Sequence, residues 1–307
     1  MKAVGVLLVL TLLWGASPKE PITPLPRHMP YHKQKARLGQ KLFFDPRLSA
    51  DGTVACANCH VLESGGDDNL KVSVGIGGKR GNVNAPTVYN AVFNFRQFWD
   101  GRAKDLRQQA QGPIENPVEM GNRFEALVAL LRRIPEYRRM FEMVYPDGIT
   151  KANITDAIAE YEKTLITPDA PFDRFLRGDK EALSDKAKRG YALFKIKGCV
   201  ICHNGVNIGG NLYGKFGIYE DVNTTNAGKF SWSGRKQDIG VFKVPSLRNV
   251  ALTAPYMHDG RYETLEDAVK FMAHFQLGKT LEDDEVDAIV AFLKSLTGKQ
   301  HRRDERL

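Results

Sequence analysis

The sequence Cys-Ala-Asn-Cys-His occupies residues 56–60, and Cys-Val-Ile-Cys-His occupies residues 199–203. These segments contain all 4 cysteines of the 307-residue chain, and in each a histidine directly follows a Cys-X-X-Cys pair. This pattern attaches a c-type haem, because two thiols can bond one porphyrin while the adjacent histidine lies under the iron. We therefore expect two covalent haem c groups, held by Cys56, Cys59 and His60 and by Cys199, Cys202 and His203.

Other uses of paired cysteines fit this pattern less well. A four-cysteine zinc site gives no reason for a histidine after each pair. A thioredoxin-like redox pair would lie in a βαβ unit, and neither motif does so. Disulfides across two residues would close loops too short to constrain the unfolded chain. Haem attachment is therefore the favoured interpretation.

The N-terminus has the layout of a cleaved export signal. Lys2 precedes an apolar run at residues 3–14, and small residues follow at 15–17. The run is shorter than the roughly 20 residues of a transmembrane helix. We expect a signal peptide at residues 1–17 and a soluble periplasmic protein. An uncleaved signal that tethers the protein to the membrane is the alternative.

Length and charge limit the architecture and the partners. Two haem motifs fit two mostly α domains, and we expect an N-terminal domain at residues 18–168 and a C-terminal domain at residues 169–307. The formal charge of +8 falls to about +3 without Lys2 and with four ionised haem propionates. Because the basic residues are also scattered, we expect no nucleic-acid partner. The haem motif is the only internal repeat visible in the sequence.

The second half of the chain has the element order of a cytochrome c domain. Ser184 caps a predicted helix that leads into the second haem motif. Another helix is predicted at residues 264–275. A closing helix is predicted with Thr280 and Asp283 as its cap pair and Gly298 as its stop.

The first half is less regular. Periodicity predicts helices at residues 36–44, 123–133 and 151–165. The glycine-rich segment at residues 75–81 lacks the Ser or Thr and the strand–loop–helix frame of a phosphate loop. We interpret it as a loop beside a haem.

Met272, on the helix at 264–275, is the best candidate for the sixth ligand of the second haem iron. A thioether favours Fe(II) and raises the reduction potential. Spacing alone leaves two alternatives open, since Met272 also fits an amphipathic helix core and Met257 is a competing ligand. His274 should point to another face of the helix.

Five further stretches resemble the bacterial dihaem cytochrome c peroxidases. They are residues 38–49 (LGQKLFFDPRLS), 84–87 (NAPT), 97–103 (QFWDGRA), 112–120 (GPIENPVEM) and 244–249 (VPSLRN). The similarity runs from about residue 35 to about residue 298, with both haem motifs in register. It implies two cytochrome c-like domains, each enclosing one haem c.

The resemblance implies different roles for the two haems. The haem of His60 would be the low-potential peroxide site, and the haem of His203 and Met272 would be the high-potential site that receives electrons. The resemblance thus favours Met272 over Met257. Trp99 matches the tryptophan between the haems on the electron route, a role compatible with a buried packing aromatic.

The resemblance also implies the residues of the peroxide pocket. Glu119 matches the acid and base residue, and Gln109 matches the companion that shapes the pocket. Cleavage of peroxide requires a proton to move from one oxygen to the other, and one carboxylate can make both transfers. Without the resemblance, Glu119 would be interpreted as a surface acid.

The family also holds a calcium ion between the domains, and Asn84, Thr253 and Pro255 match its protein ligands. Amide and carbonyl oxygens suit this hard cation. Because the set contains no carboxylate, we expect modest affinity. Without the resemblance, Asn84 would be interpreted as a loop residue that bonds its own backbone.

One position departs from the family pattern. Many members carry a histidine in the loop after the first haem motif, which ligates the resting peroxidatic iron and leaves on reductive activation. The corresponding residue here is Ile76, and no histidine lies between His60 and His203. We therefore expect the first haem to be five-coordinate or water-bound as isolated. His28 and His32 are the alternative donors.

These inferences predict a periplasmic peroxidase that reduces hydrogen peroxide with electrons from a small soluble donor, a monohaem cytochrome or a copper protein. Family members are often dimers, so a homodimer is expected. A plain dihaem electron carrier is one alternative, although it does not account for Glu119 and Gln109. A relative that oxidises a protein substrate is another, but that branch replaces the methionine ligand by tyrosine.

Overall fold

The computed structural model describes residues 20–302 and is mostly helical, as predicted. Its α-helices are α1 (Lys33–Phe43), α2 (Cys56–Cys59), α3 (Leu106–Glu115), α4 (Phe124–Arg132), α5 (Pro135–Glu142), α6 (Lys151–Glu162), α7 (Pro171–Leu176), α8 (Asp185–Lys197), α9 (Phe230–Ser233), α10 (Leu265–Leu277) and α11 (Asp283–Lys294). Strands β1 (Tyr213–Lys215) and β2 (Val241–Lys243) pair antiparallel. The predicted signal peptide lies outside the described residues. Between residues 20 and 302, no helix is long and apolar enough to cross a membrane.

The core of the first half forms where α1 and α3 pack against α6. Leu42 and Ile158 are fully or almost fully buried there. At Gly39 the two helices come so close that a Cβ atom would lie 1.8 Å from the carbonyl oxygen of Ala157. Only glycine permits this approach.

The second half repeats this device between α8 and α11. A Cβ atom at Gly190 would lie 1.8 Å from the carbonyl oxygen of Ala288. Around this crossing, the rings of Tyr191 and Phe292 pack with their centroids 5.0 Å apart. The two halves therefore share a helix crossing that the sequence analysis did not detect as a repeat.

The predicted Ser184 cap is confirmed, and the structure adds a cap at Thr264 that the sequence analysis did not predict. The Ser184 hydroxyl accepts a hydrogen bond from the N–H of Ala187 (3.2 Å) and begins α8. The Thr264 hydroxyl accepts one from the N–H of Asp267 (3.1 Å) and begins α10. Each cap satisfies an N–H group that the helix itself leaves unpaired.

The prediction for the ends of α11 is wrong. Its N-cap is Glu282, whose N–H donates to the Glu285 carboxylate at 3.2 Å, and Asp283 is the first helical residue. This capping box uses a carboxylate where the prediction placed the Thr280 hydroxyl. The helix ends at Lys294, and Gly298 instead donates its N–H to the side-chain oxygen of Asn249 (3.0 Å).

The N-terminal segment packs on the second half of the chain. Ile22 belongs to the second-half core, and the N–H of Leu25 donates to Asp173 at 3.0 Å. Asp173 also forms a fully buried ion pair with Arg248, with 2.7 Å between Oδ1 and Nη1. A division of the chain at residue 168 remains a prediction.

A buried polar network joins the two halves. The Asn90 amide donates to the Thr167 hydroxyl at 2.9 Å, and the Asn249 amide donates to the same hydroxyl at 3.0 Å. The Asn207 amide donates to the Asn90 carbonyl oxygen at 3.2 Å. Because buried amides are costly when unpaired, this network specifies how the halves meet.

Candidate haem centres and active site

The second haem motif begins where α8 ends. Gly198 adopts φ 101° and turns the chain into a 3₁₀ turn over Cys199–Ile201. His203 lies with its Nδ1 3.3 Å from the carbonyl oxygen of Ile208. Burial lowers the pKa of His203 to about 4, so the ring is neutral. A neutral imidazole that donates through Nδ1 leaves Nε2 free to bind iron.

The first haem motif has the same arrangement. The short helix α2 carries Cys56 and Cys59, and the N–H of His60 donates to the carbonyl oxygen of Cys56 (3.0 Å). The His60 Nδ1 lies 3.1 Å from the carbonyl oxygen of Gly66, and burial lowers the pKa of the ring. Both histidines are thus oriented by a backbone carbonyl.

The four cysteines form no disulfide. Burial raises the pKa of Cys56 to about 12 and that of Cys59 and Cys199 to about 11. Redox pairs and zinc sites need thiolates of low pKa, so this environment does not favour either. Within residues 20–302, no group of three or more His, Cys, Asp or Glu side chains could hold a metal ion.

A cavity of about 430 Å³ opens beside the second motif. Its lining includes the motif residues Cys199, Cys202 and His203 and the two candidate ligands Met257 and Met272. The apolar lining and the oriented histidine fit a covalently held haem. Both methionines reach this cavity, so the choice of Met272 as iron ligand remains a prediction.

Glu119 lies beside the first haem motif. Its carboxylate accepts a hydrogen bond from the Asn116 amide (2.5 Å), and its charge raises the pKa of both Cys56 and Cys59. Burial raises the pKa of Glu119 itself, opposed by Asn116 and by the positive charge of Arg102. The structure therefore places a partly desolvated carboxyl group near the first haem motif.

Gln109 lies half-buried on α3, the helix that leads into the Glu119 turn. The N–H of Met120 donates back to the carbonyl oxygen of Pro113 (3.1 Å), so helix and turn are held together. No hydrogen bond joins the side chains of Gln109 and Glu119 within residues 20–302. The pocket role of Gln109 remains a prediction.

The loop at residues 75–81 packs against the Glu119 turn. The N–H of Ile76 donates to the carbonyl oxygen of Glu119 (2.8 Å), and Lys79 Nζ donates to that of Pro117 (3.0 Å). Ile76 also packs against the first-half core. The alternative donors His28 and His32 are exposed, and His32 caps α1 through its ring.

Trp99 connects the first half of the chain to the second cavity. It lines that cavity, its indole N–H donates to the carbonyl oxygen of Asn84 (2.9 Å), and its own carbonyl accepts from the N–H of Lys243 (2.8 Å). Its ring meets that of His258 edge to face at 6.2 Å. This position suits an aromatic between two haem sites.

The three residues predicted to bind calcium also line this cavity. The Asn84 amide N–H donates to the carbonyl oxygen of Leu70 (2.8 Å), which leaves its Oδ1 available. The carbonyl oxygens of Thr253 and Pro255 accept no hydrogen bond from residues 20–302. These uncommitted oxygens fit a hard cation.

The sequence analysis did not predict the burial of several charged residues, three of which lie near the haem motifs or the second cavity. Glu162 ends α6 near Cys56, and burial raises its pKa to about 8. Asp67 is 1% exposed, and burial raises its pKa to about 7. Lys243 in β2 is 5% exposed and lines the second cavity. Only Lys243 gave a sequence signal, as a lysine inside the apolar run 241–244.

Comparisons with known proteins identify the family. The family described as di-haem cytochrome c peroxidase matches residues 33–181, and the cytochrome c family matches residues 187–297. Cytochrome c551 peroxidase of Nitrosomonas europaea is 49% identical over 284 residues, which cover 92% of this chain and 85% of that protein. The chain belongs to the di-haem cytochrome c peroxidase family. It therefore carries two haem c groups.

Further relatives differ in length from this chain. Cytochrome c551 peroxidase of Pseudomonas aeruginosa is 47% identical, with 92% of this chain and 84% of that protein covered. Cytochrome c peroxidase Ccp of Escherichia coli is 50% identical over 91% of this chain, which spans only 61% of that protein. A solved MauG-like protein associated with microbial copper homeostasis superposes with a TM-score of 0.79 at 28% identity, covering 93% of this chain and 95% of that one.

Proposed function

We propose that this chain reduces hydrogen peroxide to water with two electrons, taken one at a time from a small soluble redox protein. The observation that carries this proposal is the partly buried Glu119 carboxyl beside the first haem motif, in a chain of the dihaem peroxidase family. The reaction consumes one peroxide, two electrons and two protons and yields two waters. The haem iron supplies the redox centre when bound.

Glu119 would handle the protons. Burial raises the pKa of Glu119 towards neutral pH, above that of an exposed glutamate. The carboxyl group can therefore both accept and return a proton readily. The Asn116 amide fixes one carboxylate oxygen and leaves the other for substrate. Gln109 would bound the pocket, and Trp99 would lie on the electron route.

The two haem centres would have different roles because their iron ligands differ. Met272 would be the sixth ligand of the second iron. It lies on α10, a helix whose two ends are both capped and which therefore holds it in place, whereas Met257 lies in a turn with φ 73°. A thioether ligand raises the potential and suits the site that accepts electrons. The first centre, with Ile76 in its neighbouring loop, would remain open to peroxide.

The donor would approach the second haem motif. Ile201, between the two motif cysteines, is 69% exposed, and the nearby Ile196 is 74% exposed. Lys195 directly precedes Ile196 in the sequence, and Lys279 lines the same cavity as Ile201. An apolar patch flanked by lysines suits a donor with an apolar contact surface and an acidic rim.

Substitution of Ile201 by aspartate should test this contact. We expect the KM for the protein donor to rise about tenfold, the scale of losing one interface anchor. Turnover with a small artificial reductant should not change. Met143→Asp is the matched control, because Met143 is 71% exposed and lies in the first half. An unchanged donor KM in the Ile201 variant would place the contact elsewhere.

A direct assay separates the peroxidase from an electron carrier. The purified holoprotein is mixed with a reduced monohaem cytochrome or copper protein, and donor oxidation is followed with and without hydrogen peroxide. A peroxidase oxidises two donor molecules per peroxide, repeatedly. A carrier stops when its own haems are reduced. Failure to turn over peroxide with any such donor would refute the proposal.

The proposed setting is the periplasm, reached by the export signal at residues 1–17, and the proposed assembly is a homodimer. Both rest on the sequence and on the family. The domain division at residue 168 is likewise proposed, with each half enclosing one haem. A branch that oxidises a protein substrate is disfavoured by the methionine at position 272.

We also propose that calcium binds through the oxygens of Asn84, Thr253 and Pro255. The buried Asp67 carboxylate is close to this loop, since Asn69, which donates to the Ala254 carbonyl oxygen (3.2 Å), lies 3.4 Å from Asp67 Oδ1. Its Oδ2 has no hydrogen-bond partner within residues 20–302. A nearby negative charge would strengthen a site whose direct ligands are neutral.

Calcium should therefore stabilise the folded protein. Addition of Ca²⁺ after chelation should raise Tm by a few degrees, on the order of 2–4 °C per kcal/mol of binding linkage. Asn84→Ala should abolish this increment, and Asp67→Asn should reduce it. The Tm of each variant is measured with and without Ca²⁺, so any effect of the substitution on the stability of the calcium-free protein cancels from the increment. An equal increment in wild type and Asn84→Ala would exclude this site.

A further inference from the structure

Lys243 is a buried cation that pairs with no carboxylate of residues 20–302. Its side chain is 5% exposed and belongs to β2, next to the Trp99 backbone. Within residues 20–302, its ammonium forms no hydrogen bond and no ion pair. Burial alone lowers its pKa to about 8. A buried ammonium is costly unless an anion pairs with it.

The missing anion does not come from the walls of the second cavity. Among residues 20–302, no aspartate or glutamate lines it, while Lys197, Lys243 and Lys279 do. Two of these lysines are already engaged: Lys197 pairs with Glu285 at 2.5 Å, and Lys279 donates to the Lys197 carbonyl oxygen at 2.7 Å. Of the three lysines only Lys243 is buried, and its ammonium has no partner among residues 20–302.

We propose that the Lys243 ammonium pairs with a propionate carboxylate of the second haem. A haem c bonds the protein through its vinyl edge, and its two carboxylates extend from the opposite edge. The Lys279 ammonium donates to the carbonyl oxygen of Lys197, two residues before Cys199, and so lies at the vinyl edge. Lys243 lies on a different wall, which β2 forms with Trp99.

This pair would make Lys243 a positioning residue that also sets the haem potential. A carboxylate anion near the iron stabilises Fe(III), and a paired ammonium cancels that effect. Lys243 therefore raises the potential of the centre that accepts electrons. The inference rests on the proposed function only in placing a haem in this cavity.

The test is a spectroelectrochemical titration of the holoprotein carrying Lys243→Met, a substitution of similar length without charge. The measurement is made at pH 8, with the applied potential fixed near the midpoint potential of the wild-type second haem. The ratio of reduced to oxidised second haem should fall about tenfold, which corresponds to a decrease of about 59 mV in the potential of a one-electron couple. Lys243→Arg should keep the wild-type ratio. Lys279→Met is the matched control, since it removes a charge at the same cavity from an exposed side chain and should change the ratio much less.

An unchanged ratio in Lys243→Met, or an equal fall in Lys279→Met, would overturn the proposal. If Lys243→Met fails to retain haem, resonance Raman spectra of wild type and Lys243→Arg decide. The propionate bending band should shift when the ammonium becomes a guanidinium, and a band that stays in place would refute the pair. Neither measurement uses peroxide or a donor, so loss of the proposed activity would not affect its outcome.

Discussion

Replacing Glu119 by glutamine is expected to lower peroxide turnover by about 10²–10⁴-fold while leaving both haem spectra unchanged. Glutamine has the same shape and retains an oxygen that can accept the hydrogen bond from the Asn116 amide. It cannot accept and return a proton. The substitution thus removes the proton transfer and keeps the geometry of the turn.

The matched control for this variant is Glu115→Gln. Glu115 ends α3, close to Glu119 in sequence, but it is exposed and pairs with Lys151 at 3.1 Å. Steady-state peroxide assays should show near-wild-type kcat for this control. Normal turnover in the Glu119 variant would remove this residue from the mechanism.

Replacing Ile76 by histidine is expected to convert the chain into an enzyme that must be reduced before it reacts. Ile76 is tied to the carbonyl oxygen of Glu119 through its N–H, so an imidazole here would lie in the loop beside the proposed acid and base. If this imidazole ligates the first iron in most molecules, only the remaining fraction can bind peroxide. The activity of the protein as isolated then falls in proportion to that fraction, on the order of tenfold or more. Prior reduction should restore it.

Magnetic resonance of the oxidised proteins provides the measurement. Wild type should show a high-spin first haem, and the Ile76→His variant should show a low-spin signal from two histidines. Ile76→Asn is the control, because asparagine is polar and compact but a poor ligand for haem iron. A low-spin bis-histidine first haem in the wild type would contradict the open-site hypothesis.

The sequence predicted those parts of the fold that depend on interactions between residues close together in the chain. The haem motifs and the Ser184 cap each depend on residues within a few positions. The α11 prediction failed because several possible capping residues lie within one turn there. Choosing Glu282 required the reciprocal bond to Glu285.

Contacts between distant segments could not be predicted in this way. Ile22 packs on a core formed by residues after 170, and Trp99 meets Lys243 through backbone atoms. The buried charges Asp67 and Glu162 have sequence neighbours that do not reveal their burial, whereas Lys243 lies inside an apolar run. Glu119 itself was identified by resemblance, since only the fold brings it beside residues 56–60.

The glycine contacts at Gly39 and Gly190 limit how far the two halves can diverge. In each half, a Cβ atom at the glycine would lie 1.8 Å from an alanine carbonyl oxygen on the neighbouring helix. Both halves therefore depend on the same close approach of two helix backbones. Their differences lie outside this contact, with a glutamate-bearing turn in one half and a methionine-bearing helix in the other.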